Sequence, residues 1–208
     1  MREGVPVAEV TPSIGARLRI LRVASGRSLA SVAEAVGISS SALSQIETGV
    51  MQPSVNRLIE IVGEIGTTVS EIFEDYETLR PKALSSGVSQ PIPGVQVMVA
   101  GADEEAHLGQ GVVYRRLSPV ALEGVDLFET LYPPKTSSSV DGAMLRHSGY
   151  EMGAVTSGSL SFEFTEGTVQ IDAGGSIAFW ATRPHRVVND SDAPARATWL
   201  TLRNRRQE

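Results

Sequence analysis

The first residues whose types and spacing could do chemistry are five uncharged polar side chains within nine positions of the sequence. They fall at i, i+1, i+4, i+5 and i+8, which is one face of an α-helix: Ser40, Ser41, Ser44, Gln45 and Thr48. Leu43 and Ile46 lie on the opposite side at the spacing of core residues. Short hydrogen-bonding side chains can pair with base edges, and an α-helix fits the major groove of DNA. The segment from Ser28 to Ser54 therefore predicts two short helices around a tight turn, the second of which reads DNA.

The charge of the chain is compatible with a DNA-binding surface once it is divided along the sequence. The 208 residues carry a formal net charge of −6. Residues 11–57 hold five arginines against two glutamates, a balance of +3, whereas residues 58–80 hold one arginine against six acidic residues, a balance of −5. We therefore expect phosphate binding with a moderate salt dependence. The alternatives are an ordinary solvated helix surface and a protein-binding helix pair, but none of the five polar positions is Lys or Glu, which favours DNA.

The composition excludes several classes of site. The chain has no cysteine, so disulfides and thiolate metal sites are excluded and any metal must be bound by His, Asp or Glu. Apolar residues make up 41 % and charged residues 20 %, as in ordinary globular proteins. No uncharged stretch is long enough to span a bilayer and no secretory leader is recognisable. We therefore expect a cytoplasmic protein without a membrane partner.

Five helices are predicted between residues 12 and 75. The first begins near Ile14, Ser28 and Ser39 are N-caps for the second and third, Pro53-Ser54 precedes the fourth, and a short fifth helix holds residues 69–73. The proposed ends are all glycines: Gly26, Gly37, Gly49 and Gly66. Short turns between five helices predict a compact α-domain.

This region resembles the helix-turn-helix domain of the XRE-type, phage-repressor-like transcriptional regulators. The matching features are Ala33, Gly37 followed by Ile38, the run LSQIETG at 43–49, and Pro53-Ser54. The resemblance implies a recognition helix from Ser40 to Thr48 that binds an operator in double-stranded DNA, with base contacts from Ser40, Ser41 and Gln45. The complete predicted DNA-binding set is Arg22, Ser39, Ser40, Ser41, Ser44, Gln45 and Thr48.

Glu47 needs a separate explanation, because a carboxylate that faces DNA would repel phosphate. The family pattern has Glu at this position and Arg at the position of Arg22. We interpret Arg22 and Glu47 as an ion pair between the first and third helices, with Arg22 also near the DNA phosphates. The alternative is that both charges are merely solvated.

Beyond residue 75 the pattern changes twice. Residues 76–94 are rich in Pro, Ser and Gly and predict a linker. Residues 95–205 then show strand periodicity with turn residues between the segments, and nine strands are predicted near 96–99, 112–117, 125–132, 151–156, 160–164, 168–171, 176–180, 185–189 and 196–202. Many short strands without intervening helices indicate a sandwich or barrel. Phe162, Phe164, Trp180 and Trp199 are its predicted core residues.

The strand region resembles the cupins. The run LRHSGYEMGAVTSGSLSFEF at 145–164 and the run GGSIAFWATRPHRVVND at 174–190 match the two halves of the cupin signature. Gly158, Gly175, Pro184, His185 and Asn189 are at recognisable places. The resemblance implies a double-stranded β-helix with a cavity at one mouth, and an α + β protein of two domains.

The cupin resemblance also implies a ligand set. Metal-binding cupins use an H-x-H pair, a Glu and a late His; His147, Glu151 and His185 occupy three of these places, whereas Leu145 replaces the first His. Three such ligands suit Fe(II) or another first-row divalent metal. The alternative is an organic-ligand pocket without metal. Tyr150 and Trp180 are further predicted members of the pocket.

Together these features predict a sequence-specific transcriptional regulator, not an enzyme, whose cupin domain binds a small-molecule effector. A metal-dependent cupin enzyme with a DNA-binding domain, centred on His147, Glu151 and His185, is the main alternative. A homodimer is expected, because one helix with three short base-contacting side chains buries too little to specify a site. Since a flexible linker joins the domains, we expect the effector to change how the helical domains are spaced or docked.

Overall fold

The computed structural model describes residues 13–73, 92–98 and 105–203. In this part of the chain a helical domain is followed by a β-domain, as predicted. No helix in these ranges is both long and apolar enough to cross a membrane.

Within residues 13–73 the helical domain has four α-helices: α1 (Ile14–Ala24), α2 (Leu29–Ala35), α3 (Ser40–Glu47) and α4 (Val55–Ile65). Each helix begins after a serine whose hydroxyl accepts a hydrogen bond from a backbone N–H of the first turn: Ser13, Ser28, Ser39 and Ser54. Gly26, Gly37, Gly49 and Gly66 follow the helices with positive φ, as the sequence predicted.

The predicted fifth helix is wrong: the segment is a single 3-10 turn, Ser70–Phe73. Thr68 and Glu71 cap it reciprocally, each side chain bonding the backbone N–H of the other at 3.3 Å. The backbone N–H of Ser70 donates to Asp126 of the β-domain at 3.0 Å. A turn this short cannot sustain an α-helical ladder and is held by such outside contacts instead.

One glycine determines how closely α1 and α3 can pack. A Cβ on Gly15 would lie 2.1 Å from the backbone oxygen of Ile46. Any larger residue would therefore push α1 away from the end of α3. The buried face of α3, formed by Leu43 and Ile46, lies against this crossing and leaves the polar face outward.

Among the described residues from 105 to 203, the β-domain has ten strands: β1 (Glu105–His107), β2 (Val113–Arg116), β3 (Val125–Tyr132), β4 (Thr136–Ser137), β5 (Tyr150–Ser157), β6 (Ser159–Phe164), β7 (Gly167–Asp172), β8 (Ser176–Trp180), β9 (His185–Asn189) and β10 (Ala195–Leu202). They form a six-stranded sheet, ordered β1-β2-β3-β10-β5-β8, and a four-stranded sheet, ordered β4-β9-β6-β7. All pairs of adjacent strands are antiparallel.

The strand predictions are mostly confirmed, with three differences. Residues 96–98 have no regular structure, and residue 99 lies outside the described ranges. The short strands β1 and β4 were not predicted. Phe162 and Trp199 are core residues as expected and Phe164 is partly buried, but Trp180 is 58 % exposed. The last difference follows from strand alternation, because the neighbouring Phe179 occupies the inward position.

The two domains contact each other directly, which the sequence did not predict. The 3-10 turn stacks Phe73 on Tyr114 of β2 with ring centroids 5.8 Å apart. At the start of α4, the backbone N–H of Asn56 donates to the Ser138 oxygen at 2.9 Å and its side-chain amide donates to the Ala143 oxygen at 3.0 Å. Most of the predicted linker, residues 76–91, lies outside the described residues. The domains are therefore linked by side-chain packing as well as by the chain.

Candidate functional site

The outward face of α3 presents the side chains expected to read DNA. Ser40, Ser41 and Gln45 are exposed, whereas Ser44 is half-buried. The hydroxyl of Ser39 accepts from the Ala42 N–H at 3.1 Å and so caps the helix. At the other end, the exposed Thr48 donates its hydroxyl to the Ser44 oxygen at 2.8 Å. The face thus has three outward polar side chains between two capping hydroxyls.

The predicted ion pair between Arg22 and Glu47 is confirmed. Nε of Arg22 lies 2.5 Å from Oε1 of Glu47, and its Nη2 donates to Oε2 at 2.9 Å. The third guanidinium nitrogen, Nη1, donates to the Arg27 oxygen at 3.0 Å. Hydrogen bonding to Glu47 raises the pKa of Arg22, and the two side chains are only 10 % and 4 % exposed. The pair therefore fixes the position of α3 relative to α1.

A contact of Arg22 with DNA phosphate stays a prediction. In the structure its guanidinium bonds Glu47 and the backbone oxygen of Arg27 inside the domain. Two other arginines of this region are also paired within the protein, Arg27 with Glu64 and Arg57 with Glu60. The positive surface of the helical domain is consequently weaker than a count of its arginines suggests.

The β-domain brings together the three polar residues predicted to bind a ligand. His147 precedes β5, Glu151 lies on β5, and His185 begins β9 on the opposite sheet. Nε2 of His147 lies 2.8 Å from Oε1 of Glu151, and Nε2 of His185 lies 3.7 Å from Oε2. One ligand atom from each residue lies within 4.8 Å of the others.

Hydrogen bonds at the far side of each ring orient both histidines. Nδ1 of His185 lies 2.8 Å from the Arg183 oxygen, and Nδ1 of His147 lies 3.1 Å from the Ser148 oxygen. A carbonyl only accepts, so each Nδ1 carries the proton and the lone pair of a neutral ring is on Nε2. Burial lowers the pKa of His185 despite the nearby Glu151, which favours the neutral ring. Nε2 of His185 therefore faces Glu151 as an electron-pair donor.

These residues fit a divalent metal. Nε2 of His147 is buried and has no hydrogen-bond partner among the described residues, although Oε1 of Glu151 is 2.8 Å away. Two lone-pair atoms at that distance need a proton or a cation between them. Two imidazole nitrogens and a carboxylate suit first-row metals, and backbone carbonyls on both Nδ1 atoms provide the outer support that such ligands require.

Leu145, which replaces the first histidine of the cupin pattern, helps to position the segment that carries His147. It is buried, and its backbone N–H and oxygen pair with the oxygen and N–H of His185 at 2.8 and 3.0 Å. The backbone N–H of His147 donates to the Ala181 oxygen at 3.0 Å. The segment that carries His147 is therefore tied to the strands on both sides of the site.

Tyr150 and Trp180 do not belong to this site, which corrects their prediction as pocket members. Successive strand residues point to opposite faces, so the inward Glu151 and Phe179 leave Tyr150 and Trp180 on the outer face. Their rings contact each other there at 4.9 Å between centroids. Phe179 was not predicted as a site residue. The centroid of its ring lies 4.8 Å from that of His185, so it forms one wall of the site.

Asn189 of the cupin signature has a structural role. It is fully buried, and its amide nitrogen lies within 3.0 Å of the oxygens of Tyr132, Pro133 and Ala193. Its side-chain oxygen accepts from the N–H and hydroxyl of Ser191. Asn189 thus closes the loop between β9 and β10 and does not face the ligand site.

Comparison with known proteins identifies both domains. Residues 13–71 match the family model of a helix-turn-helix domain, and residues 128–201 match that of a cupin domain. Two separate parts of the chain are therefore similar to a helix-turn-helix domain and to a cupin domain. The resemblance to XRE-type regulators that carry a C-terminal cupin domain is thereby confirmed.

Similarity to two transcriptional regulators extends over most of the chain. The helix-turn-helix transcriptional regulator PuuR of Escherichia coli is 27 % identical over 181 residues, which are 85 % of this chain and 88 % of PuuR. A crystal structure of a helix-turn-helix transcriptional regulator from Vibrio cholerae covers 92 % of this chain and 96 % of its own, with a TM-score of 0.65 and 22 % identity. The latter similarity shows a shared fold across the helix-turn-helix and cupin domains.

Proposed function

We propose that the protein is a transcriptional regulator that binds operator DNA through α3 and a small-molecule effector through its cupin domain. The observation that carries the proposal is the outward polar face of α3, with Ser40, Ser41 and Gln45 exposed on a helix held by a buried ion pair. The similarity to the transcriptional regulator PuuR supports this proposal.

Base recognition rests on a small number of side chains. Gln45 has an amide that can bond both N6 and N7 of adenine, a contact worth about 1–3 kcal/mol against a wrong base. Ser40 and Ser41 reach less far and discriminate less. Three such contacts specify too few base pairs, so we propose a homodimer on a near-palindromic operator with half-sites about 34 Å apart.

The effector site is proposed at His147, Glu151 and His185. A divalent metal held by these three residues would act as a Lewis acid and leave coordination positions for a carboxylate or hydroxyl of the effector. The chain orients the ligand atoms through the Nδ1 hydrogen bonds of both histidines and narrows the site with Phe179. The second candidate function is that of an enzyme whose metal is bound by the same three residues. The observation that favours it is the close grouping of His147, Glu151 and His185.

The contact at Asn56 offers a route from this site to the helix-turn-helix domain. Asn56 bonds Ala143, four positions before His147, and Ser138. Ser138 in turn pairs with Val187, two positions after His185, through backbone and hydroxyl hydrogen bonds of 2.8 and 3.1 Å. Both segments that carry the histidines therefore reach the start of α4. An effector that shifts them would change how the helix-turn-helix domain is docked.

The decisive experiment measures binding of the full chain to the DNA upstream of its own gene and to random DNA. We expect the double variant S40A/Q45A to lose preference for the upstream DNA while its binding to random DNA is retained. Q170A, at an exposed position on β7, removes an amide of the same type and is the matched control. A wild-type protein that binds both DNAs equally, or no DNA, would overturn the proposal. Metal analysis of the purified protein, with a test for substrate turnover, addresses the enzyme alternative.

A further inference from the structure

Arg203 follows β10 directly and lies next to the segment that carries two residues of the effector site. In the pairing of β10 with β5, Thr201 is opposite Glu151. Because alternate residues of an extended chain point to the same side, Arg203 is directed inward like Thr201. A Cβ added to Gly149 would lie 3.2 Å from the Cα of Arg203, and Gly149 lies between His147 and Glu151. Arg203 is therefore the next inward position of the chain beyond the row of Glu151.

The neighbour of Arg203 on that segment has no side chain. Gly149 has a φ of +114°, and a Cβ at this position would lie 2.3 Å from the backbone oxygen of Leu202. Only glycine fits so close an approach of two backbones. Diagonal neighbours on paired strands are about 7–8 Å apart, which a long side chain can span. The guanidinium of Arg203 can therefore reach a ligand bound at Glu151.

In the structure the guanidinium of Arg203 is directed to the helical domain. Its Nη1 donates to the backbone oxygen of Thr67, shortly after α4, at 3.1 Å, and its Nη2 lies 3.4 Å from Oδ2 of Asp126. Oδ1 of the same carboxylate accepts from the backbone N–H of Ser70 at 3.0 Å. Arg203 and Asp126 together thus hold the segment between α4 and the 3-10 turn against the β-domain.

This contact between the domains contains polar atoms that lack partners. Nε of Arg203 and the hydroxyls of Thr67, Ser70 and Tyr114 are buried without a hydrogen-bond partner among the described residues. A buried donor without a partner has a free-energy cost that water removes when the contact opens. The contact is therefore weaker than its number of polar groups suggests, and a competing partner for Arg203 can open it.

The electrostatics of this region favour an anion as that partner. Burial raises the pKa of Tyr114 well above its usual value, and the charges of Asp126, Arg203 and Glu151 also act on its hydroxyl. These charges therefore share one poorly hydrated region, in which contacts between an arginine and a carboxylate are strong. A divalent metal at the effector site would add further positive charge there and attract the same kind of ligand.

We propose that the effector carries a carboxylate or another anionic group, and that this group binds Arg203 and withdraws it from Thr67 and Asp126. The inference rests on the effector site proposed above and adds the chemical class of the effector and the residue that recognises it. Two parallel hydrogen bonds to a carboxylate are stronger than the present contacts of 3.1 and 3.4 Å. The anion consequently binds the released arrangement of the domains more tightly than the docked one, as coupling between two sites requires.

Calorimetry of the manganese-loaded full chain with succinate tests the recognition of the anion. One carboxylate of succinate can bind the metal while the other binds Arg203, and succinamide is the neutral probe of similar shape. We expect binding of succinate alone, weakened about 10- to 100-fold in R203M and less in R203K, which keeps the charge. R196M and R183M, which remove exposed arginines of β10 and of the loop before β9, are the matched controls and should bind succinate like the wild type. Manganese content should be equal in all variants.

Hydrogen exchange of the Ser70 amide measures domain docking in the same samples, because this N–H is bonded to Asp126. Succinate should raise its exchange rate at least several-fold in the wild type, whereas R203M should exchange fast with and without succinate. The proposal is overturned if succinate does not bind, if it binds R203M as well as the wild type, if R183M alone weakens it, or if its binding leaves the exchange of Ser70 unchanged.

Operator binding, measured separately, distinguishes this inference from the function on which it rests. A chain that binds succinate through Arg203 but does not prefer operator DNA refutes the proposed function alone. A chain that prefers operator DNA but whose succinate binding is unaffected by R203M refutes this inference alone.

Discussion

Replacing Glu47 by Ala should destabilise the helix-turn-helix domain severely. The carboxylate forms two short charge-assisted contacts with Arg22, at 2.5 and 2.9 Å, and the arginine side chain is only 10 % exposed. Removing one partner leaves a guanidinium in a site from which water is largely excluded, at a cost of about 3–5 kcal/mol. For a chain of this length each kcal/mol lowers Tm by roughly 2–4 °C, so a decrease of about 6–20 °C is expected.

Thermal unfolding followed by the far-UV circular dichroism of the helices measures this effect. E34A is the matched control, because Glu34 is an exposed glutamate on α2, and its Tm should stay close to that of the wild type. The double variant R22M/E47L should recover most of the lost stability, since no unpaired charge remains buried. If E47A melted within a degree or two of E34A, the ion pair would contribute nothing and our account of how α3 is held would be wrong.

Three further predictions follow from the sites. Q45A should weaken operator binding about 5- to 150-fold, the equivalent of about 1–3 kcal/mol, without changing the affinity for random DNA; fluorescence anisotropy on both DNAs measures this, and an equal loss on both contradicts base reading by Gln45. The double variant H147A/H185A should lose metal content and effector response while the apo protein still binds DNA, so a normal response would show that the effector binds elsewhere. N56A should keep effector binding, measured by calorimetry, but lower the effect of the effector on operator affinity several-fold; an unchanged effect would exclude this contact as the route.

Features that depend on neighbouring residues were predictable from the sequence. The helix N-caps Ser28 and Ser39 and the glycines after each helix are as predicted, because a capping hydroxyl bonds a backbone N–H three residues away. The Arg22–Glu47 pair was found through the family pattern, since its members are 25 positions apart and carry no local signal. The outward direction of Tyr150 was available from strand alternation once Glu151 was placed inward.

Other features depend on contacts between distant segments. The 3-10 turn at Ser70–Phe73 is bonded through its backbone to Asp126 of the other domain, a contact between positions 56 residues apart that no local pattern indicates. β4 has only two residues, which pair with β9. A strand this short has no periodicity from which it could be predicted. The docking of Asn56, at the start of α4, on the loop residues Ser138 and Ala143 likewise follows no pattern in the sequence.

The sequence by itself therefore determined the two domains, the polar face of α3 and the identities of His147, Glu151 and His185, because periodicity and motif spacing are written in consecutive residues. Only the tertiary structure decided that these three residues meet within 4.8 Å, that Arg22 is buried and that Trp180 faces outward. Only the folded chain also showed that the domains contact each other directly. Distances across sheets and between domains arise from packing, which depends on all the segments at once. They therefore cannot be predicted from the sequence of any single segment.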